Sequence, residues 1–593
     1  MMSLRSKIQS TIHAVLHMFL CAALFAFLAT GAILCMETIW RGSFSLAVMW
    51  AARLWQLFGL LVLVIASFEL ALYMLTGRMF ASVLLTNIIL TALALVQHYK
   101  LALRGEMFVL SDVMLASEAM TAAANFAIDV PWYVILGCAL MLLMPLCVWG
   151  MRLKKHYFCR LAVLAACIAT ISSGWNRILI LNEAPTQELS TYYHLNGLLS
   201  GLVWSRPQAP GEPKNYSEAA VCALLSKYAQ EDDAQVKPDI LFVMSETLYD
   251  PAKLPGILLS EDPLAYMKSM QANHWGGELY VQSYGGGTAQ TEYEVLTGYR
   301  VDYTSVAAYL DQTLVHDGMD SLASLLKRYG YYTTAMHPAH GSVYNREKAY
   351  QRMGFDETVF IEDMAPPYSD VGPYPSDQYL FEEIIRQYEG RPENQPWFSF
   401  VVTYQNHGGY DYDYDEHGIA AVGRDGVSMP NATTFANALR ESDIQLHMLI
   451  DYFAAQQRPV VVVIFGDHAP ALSQVDCQAG GSMEDQYRIH TTPLLVYSNF
   501  GLEMPQSLPR TLSAYRLGAV LMNTLGFRSD AYYNYLADEA TLNLYGTGGW
   551  IVDQNGVYED TEQFDTALEA LNLIRYDRIC GEQYGKGVTS LGE

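Results

Sequence analysis

Four residues in this chain set acceptor or hydroxyl side chains in unusual surroundings: Glu246, Thr288, Asp467 and His468. The run DILFVMSE ends in Glu246, and PVVVVIFGD runs into Asp467 and His468. Glu, Asp and His are the hard and borderline ligands expected for Mn²⁺, Mg²⁺ or Zn²⁺. Burying a carboxylate at the end of an apolar run is costly unless it is paired or metal-bound. One reading is therefore a cation site; the other is an Asp that caps the following helix, with His on the surface. In QSYGGGTAQTEYE three glycines precede Thr288. They form either a plain flexible turn or an open approach to a nucleophile. A threonine hydroxyl attacks poorly until its alkoxide is stabilised, and a metal held by Glu246, Asp467 and His468 would do that. His407, in QNHGG, closes another apolar run and is open between core and site.

These residues need elements to hold them. Apolar runs of strand length cover 239–246, 331–338, 397–406, 459–467 and 492–499, with helical patterns at 320–330 and 433–457 between them. Short apolar runs that alternate with helices predict an α/β domain around a largely parallel central sheet, its strands buried on both faces. Open sheets of this kind bind ligands at the carboxyl ends of their strands, which is where Glu246, Asp467 and His468 fall. The tail from about 510 adds one or two helices.

Composition divides the chain. Residues 1–180 carry 12 Lys/Arg and 6 Asp/Glu, whereas residues 181–593 carry 24 and 55. The acidic part is a poor partner for nucleic acid and would repel an anionic substrate unless a cation offsets it. The amino-terminal part has apolar runs of spanning length near 14–36, 55–75, 79–98, 131–150 and 158–176. Arg5, Lys7, Arg78 and the run MRLKKHYFCR all fall on one side of these runs. The positive-inside rule then puts the amino terminus in the cytoplasm and, after five crossings, everything beyond 176 outside the cell membrane. The expected organisation is a multi-pass helical membrane domain over 1–176, a linker with approach helices over 177–237, and an extracytoplasmic catalytic domain with a carboxyl-terminal extension over 238–593. Segment 108–128 is expected to be an interfacial helix. The nine cysteines include no closely spaced pair in the acidic part, so neither a disulfide framework nor a CxxC metal site is expected.

Taken together, the motifs SET, GGGTAQTEYE, MHPAHGSVYNR and FGDHAP, in that order, resemble those of the lipoteichoic acid synthase family of membrane-anchored phosphoglycerol transferases, within the alkaline-phosphatase and sulfatase superfamily. The resemblance is loose over the membrane part and close over 238–500. It implies an alkaline-phosphatase/sulfatase-like fold and one divalent metal ion, Mn²⁺ or else Mg²⁺, on Glu246, Thr288, Asp467 and His468, with Thr288 as nucleophile. It implies substrate contacts from His337, Tyr344, Arg346 and His407. The activity implied is transfer of glycerol phosphate from phosphatidylglycerol, an anionic phospholipid donor, to a cell-surface glycolipid, polymer or polysaccharide through a phosphothreonine-type intermediate. Phosphoethanolamine transfer or phosphodiester hydrolysis by the same site is the alternative. The chain departs from the family in two places: it lacks the lysine of the family's GxGKTS loop, and Tyr344 stands where the synthases usually have Trp. No Cys/Ser-x-Pro-x-Arg motif is present, which argues against a sulfatase of the modified-residue type.

Four further features have simpler readings. Glu292 and Glu294 are expected to cap or solvate a helix begun by Thr288. His340 competes with His337 for the same role, and spacing favours His337. The run DYDYDEHG is expected to be a solvated loop, and His490 a core residue.

Overall fold

The computed structural model describes residues 4–104, 107–110, 130–152, 157–181, 189–205, 211–301, 314–366, 370–472, 487–538, 543, 551–553, 556–558 and 562–588. Most of segment 108–128 lies outside these residues. The chain divides into two units, one of residues 1–110 and 128–206, the other of residues 111–127 and 207–593.

The first unit is helical. Helices α1 (Leu4–Arg41), α2 (Trp55–Thr76) and α3 (Met79–Arg104) each contain a stretch long and apolar enough to cross a membrane. Two shorter apolar helical stretches, Trp132–Val148 and Arg160–Trp175, lie where the fourth and fifth crossings are expected; they belong to α4 (Trp132–Leu143) with the turn after it, and to α5 (Tyr157–Leu181). Residues 189–205, expected in a linker, fold into two short helices of this unit. They are tied to α1 through Glu37, whose buried carboxylate accepts from Trp40 Nε1 (2.8 Å), Arg41 Nε (2.7 Å) and the Leu198 amide (2.8 Å). Glu69, on α2, is turned into the bundle and fully buried.

The second unit is built on an eight-stranded sheet. Its strands are β1 (Asp239–Ser245), β2 (Trp275–Tyr280), β3 (Tyr332–His337), β4 (Glu357–Phe360), β5 (Trp397–Val402), β6 (Val460–Gly466), β7 (Thr491–Ser498) and β8 (Thr511–Ser513). Their order is β8-β2-β7-β6-β1-β5-β3-β4. Every neighbouring pair is parallel except β6–β7 and β7–β2, so β7 alone runs against the others. The sheet is thus largely parallel, as expected, and all five anticipated strands are present. The fifth differs in direction because it starts at the edge where β6 ends, with Phe465 beside Leu494.

Both faces of the central strands are buried, which is why they read as unbroken apolar runs. Ile240, Phe242 and Met244 pack on one side with Val461, Val463 and Phe465, under α6 (Thr288–Thr297) and α10 (Ala514–Thr524). Leu241, Val243, Val462 and Ile464 face the other layer, formed by α8 (Asp377–Gly390) and α9 (Pro430–Ala454). Between α6 and α8 lies the short α7 (Arg346–Met353). At the amino edge, buried Asp239 accepts from Tyr388 OH, the Trp397 amide and the guanidiniums of Arg391 and Arg458, which clamps the starts of β1, β5 and β6 together.

Gly466, the last residue of β6, has no room for a side chain: a Cβ there would sit 2.0 Å from the Leu248 carbonyl oxygen and 2.9 Å from Thr492 Cβ. Gly466→Ala is therefore expected to lower stability by about 1–3 kcal/mol, as overpacking does. Thermal melting of the detergent-solubilised chain checks this; an unchanged midpoint would refute it.

Candidate active site

Sheet register builds the centre of the site. Ser245 of β1 pairs with Gly466 of β6, so the next residues out, Glu246 and Asp467, leave adjacent strands side by side. Both are buried, and His468 follows directly. Ligand atoms of Glu246, Asp467 and His468 lie within 4.8 Å of one another, forming the one such cluster among the described residues. His468 Nδ1 faces the Ala469 carbonyl at 3.0 Å and so carries the proton in the neutral ring. Its Nε2 lone pair then points at Asp467 Oδ2 (3.2 Å) and Glu246 Oε1 (3.5 Å). Asp467 Oδ2 and His468 Nε2 are buried and have no hydrogen-bond partner among the described residues.

Acceptors that converge with no donor between them are what a cation requires and what an apolar core cannot supply. Burial, together with the neighbouring Asp467 carboxylate, pushes the Glu246 carboxyl well above its usual range. A divalent ion on Glu246, Asp467 and His468 would remove that penalty, so the residues fit one.

Thr288 is the first residue of α6. Its Oγ1 lies 3.4 Å from Glu246 Oε2, and the residue is 5% exposed. The preceding glycines are needed for the backbone as well as for access: φ is +66° at Gly285, +143° at Gly286 and +87° at Gly287, where side chains are strained. The loop is tied to the metal side, since the Gly285 amide donates to the Ala469 carbonyl at 3.0 Å. Thr291, one turn along α6, donates to the Asp467 carbonyl at 2.8 Å.

His337 ends β3. Burial first, then the Arg346 charge, hold its imidazole well below its usual pKa, so it is neutral. Nδ1 donates to the Val402 carbonyl at 3.0 Å and leaves Nε2 as an acceptor. His407 follows β5 and is half-buried; its ring stands 5.1 Å from that of Tyr404, which in turn is 5.4 Å from the His337 ring. Arg346 opens α7 after Tyr344 and Asn345, both at positive φ, and its guanidinium stacks 5.1 Å from the Tyr344 ring. His340 instead is exposed beside Glu362.

Four residues were missed or misjudged in the sequence. Glu292 and Glu294 are buried rather than solvated: Arg346 donates to Glu292 through Nε and Nη2, both at 3.0 Å, and Glu294 accepts from the Val301 amide at 2.8 Å. Helical spacing was the available signal for Glu292, four residues from Thr288 and on its face. Thr247, at φ +52°, donates its amide to Asp467 Oδ1 (2.7 Å) and its hydroxyl to Glu246 Oε1 (3.0 Å). Thr403 Oγ1 accepts the Glu246 amide at 3.0 Å. No local pattern marks either threonine.

The fold and this centre define an α/β domain with a buried His/Asp/Glu cluster able to coordinate a divalent metal. Residues 238–526, a little under half of the chain, match the Sulfatase family. A curated relative, a putative cyclic beta-1,2-glucan modification protein of Rhizobium meliloti (strain 1021), is 32% identical over 316 residues, covering 51% of this chain and 47% of that protein. The chain thus spans about half the length of that relative. Among solved structures, the phosphoglycerol transferase GacH of Streptococcus pyogenes in complex with sn-glycerol-1-phosphate is similar with TM-score 0.54 and 21% identity, over 65% of this chain and all of that one. The integral membrane lipooligosaccharide phosphoethanolamine transferase A of Neisseria meningitidis is similar with TM-score 0.50 and 13% identity, over 85% of this chain and 95% of that one.

Two outcomes test this geometry. Mn²⁺ is expected to raise the melting temperature of the wild-type chain, because a ligand that binds only the folded state stabilises it, and to leave Asp467→Asn unmoved; equal shifts would refute the assignment. The second concerns buried Asp377, behind the loop that carries His407. It accepts from Ser442 Oγ at 2.6 Å, and its amide donates to Gln405 Oε1 at 2.9 Å. Burial raises its carboxyl to about 6, against the pull of the Ser442 and Thr403 hydroxyls. Since the folded value exceeds the unfolded one of 3.8, the folded chain binds more protons between them, and stability falls as pH rises from about 4 to about 6. The loss is on the order of 3 kcal/mol. Melting curves across that range should show a smaller loss in Asp377→Asn than in the wild type, the raised Glu246 carboxyl supplying the remainder.

Proposed function

We propose that this chain transfers glycerol phosphate from phosphatidylglycerol to a cell-surface glycolipid, polymer or polysaccharide, with the soluble unit outside the cell and the amino terminus in the cytoplasm. The observation that carries the reading is Thr288 Oγ1 at 3.4 Å from Glu246 Oε2, beside a cluster built to hold a cation. A divalent cation there, Mn²⁺ or Mg²⁺, supplies Lewis-acid charge that favours the threonine alkoxide and the negative phosphoryl oxygens.

Thr288 Oγ attacks the phosphorus of the diester. The new Oγ–P bond forms as the P–O bond to the diacylglycerol breaks, and the lipid alcohol leaves with a proton. An acceptor hydroxyl then attacks the same phosphorus, its oxygen takes the glycerol phosphate, and the proton returns to Thr288. Arg346 donates to a non-bridging oxygen. His337, neutral with Nε2 as acceptor, and His407 are placed to hydrogen-bond the phosphate or to relay the acceptor's proton. Two likenesses support donor and acceptor: the similar transferase structure holds sn-glycerol-1-phosphate, and the 32% identical relative is named for glucan modification. Phosphoethanolamine transfer is the second reading, favoured by the similarity to the phosphoethanolamine transferase over 85% of this chain.

The test is an intact-mass measurement on detergent-solubilised full-length protein with Mn²⁺, given headgroup-labelled phosphatidylglycerol or phosphatidylethanolamine. A glycerol-phosphate adduct with release of diacylglycerol is expected from the first lipid, and none in Thr288→Ala. An adduct from the second lipid alone would move the chain to the phosphoethanolamine class, and an adduct that survives Thr288→Ala would remove the nucleophile.

A further inference from the structure

Helix α6 carries Thr288 at its start and Glu292 one turn later, on the same face. Glu292 is 0% exposed and Arg346 1% exposed. Arg346 Nε lies 3.0 Å from Glu292 Oε2 and 3.4 Å from Oε1, while Nη2 lies 3.0 Å from Oε2. Tyr350 OH donates to Oε1 of the same carboxylate. The pairing thus engages one edge of the planar guanidinium and leaves the Nη1 group outside it. Arg346 is close enough to the site for its charge to favour ionised Glu246 and to disfavour a protonated His337, and its guanidinium stands 5.1 Å from the Tyr344 ring.

We propose that Glu292 is a positioning residue, which holds the Arg346 guanidinium at a fixed offset from the Thr288 hydroxyl so that Nη1 meets the phosphoryl group the threonine attacks. This deepens, and rests on, the roles given to Thr288 and Arg346 above. A buried ion pair is a poor device for stability alone, since an apolar pair of the same size often does as well or better. Moreover, α6 is already anchored without it, by buried Tyr293, Val295 and Leu296 and by the Thr291 bond to the Asp467 carbonyl. What the pair adds is orientation. A free arginine side chain loses much rotamer entropy on binding an anion, and a carboxylate that fixes one edge of the fork removes that loss beforehand.

The experiment uses Mn²⁺-loaded, detergent-solubilised full-length protein and calorimetric titration with inorganic phosphate and with sn-glycerol-1-phosphate. Mn²⁺ affinity and melting temperature are measured alongside. Arg346→Ala and Glu292→Ala are each expected to weaken phosphate binding by about 10-fold or more, with Mn²⁺ affinity within about threefold of wild type. The double variant should bind phosphate no worse than Arg346→Ala, because Glu292 acts only through the arginine. Glu292→Gln, whose amide oxygen still accepts one N–H, should recover part of the loss.

Additive losses in the double variant would overturn the proposal, and so would Glu292→Ala binding phosphate as wild type does. Tighter phosphate binding in that variant would make Glu292 a competitor of the substrate and overturn it equally. If the alanine variant does not fold, Glu292→Gln, of the same size, carries the test: wild-type phosphate affinity in it counts against the proposal. The expected pattern with phosphate alone, and no binding of sn-glycerol-1-phosphate, upholds the positioning role and overturns the headgroup assignment instead.

Discussion

Two carboxylates are forced together by backbone register. Ser245 and Gly466 are register partners on the adjacent parallel strands β1 and β6, and the chain leaves each strand through an acidic residue. Neither Glu246 nor Asp467 can turn to water, since both are buried at the meeting of strand ends and loops. Burial, and then the Asp467 carboxylate, push the Glu246 carboxyl up, a penalty that a positive charge between the two would remove. Much of what surrounds the site is arranged around that conflict. Thr247 donates to both carboxylates, His468 offers a lone pair rather than a donor, and Thr403 holds the Glu246 backbone in place.

Rigid elements deliver the rest, so the reactive groups depend little on loop order. Thr288 starts a fully buried helix, and the glycine loop before it is bonded to the residue after His468. His337 is itself the last residue of a strand. The segment from Thr403 to His407 is fixed from behind: Gln405 and Asn406 both donate to Ser442 Oγ, which donates to Asp377. A hydrogen-bonded path therefore runs from α9 through Ser442 to the loop that carries His407, and sites supported in this way hold their geometry before substrate arrives.

How far the sequence revealed this depends on what each residue does locally. The central strands were legible because burial on both faces leaves unbroken apolar runs such as VVVVIF. Strand β2 was not: WGGELY holds two glycines, and the cause is tertiary. A Cβ at Gly277 would sit 2.4 Å from the Arg510 carbonyl oxygen, and one at Gly276 2.6 Å from the Gln271 backbone. β4 and β8, with four and three residues, are too short for any periodicity. In the site, Glu246, Asp467 and His468 stood out because acidic groups at apolar strand ends demand an explanation. Glu292 gave no such signal: a glutamate near the start of a helix is ordinary, and only the fold brings a buried arginine from another helix against it. The three glycines were half legible. Access for a substrate was apparent from composition, while the run of positive φ values that also requires them is visible only in the backbone.

Charge balance then orders the events at the site. Residues 181–593 carry 55 acidic and 24 basic side chains, so the long-range field repels an anionic lipid headgroup. Arg346 does not reverse this, because its partner Glu292 makes the buried pair neutral overall. Its contribution is directional: donors set in one plane at one place. A divalent ion on Glu246, Asp467 and His468 would supply the positive charge that the neutral Arg346–Glu292 pair does not. Glu246 and Asp467, which would hold such an ion together with His468, are buried and accept from the Thr247 hydroxyl and amide respectively. On the proposed function, phosphate binding at this site would then depend on metal loading.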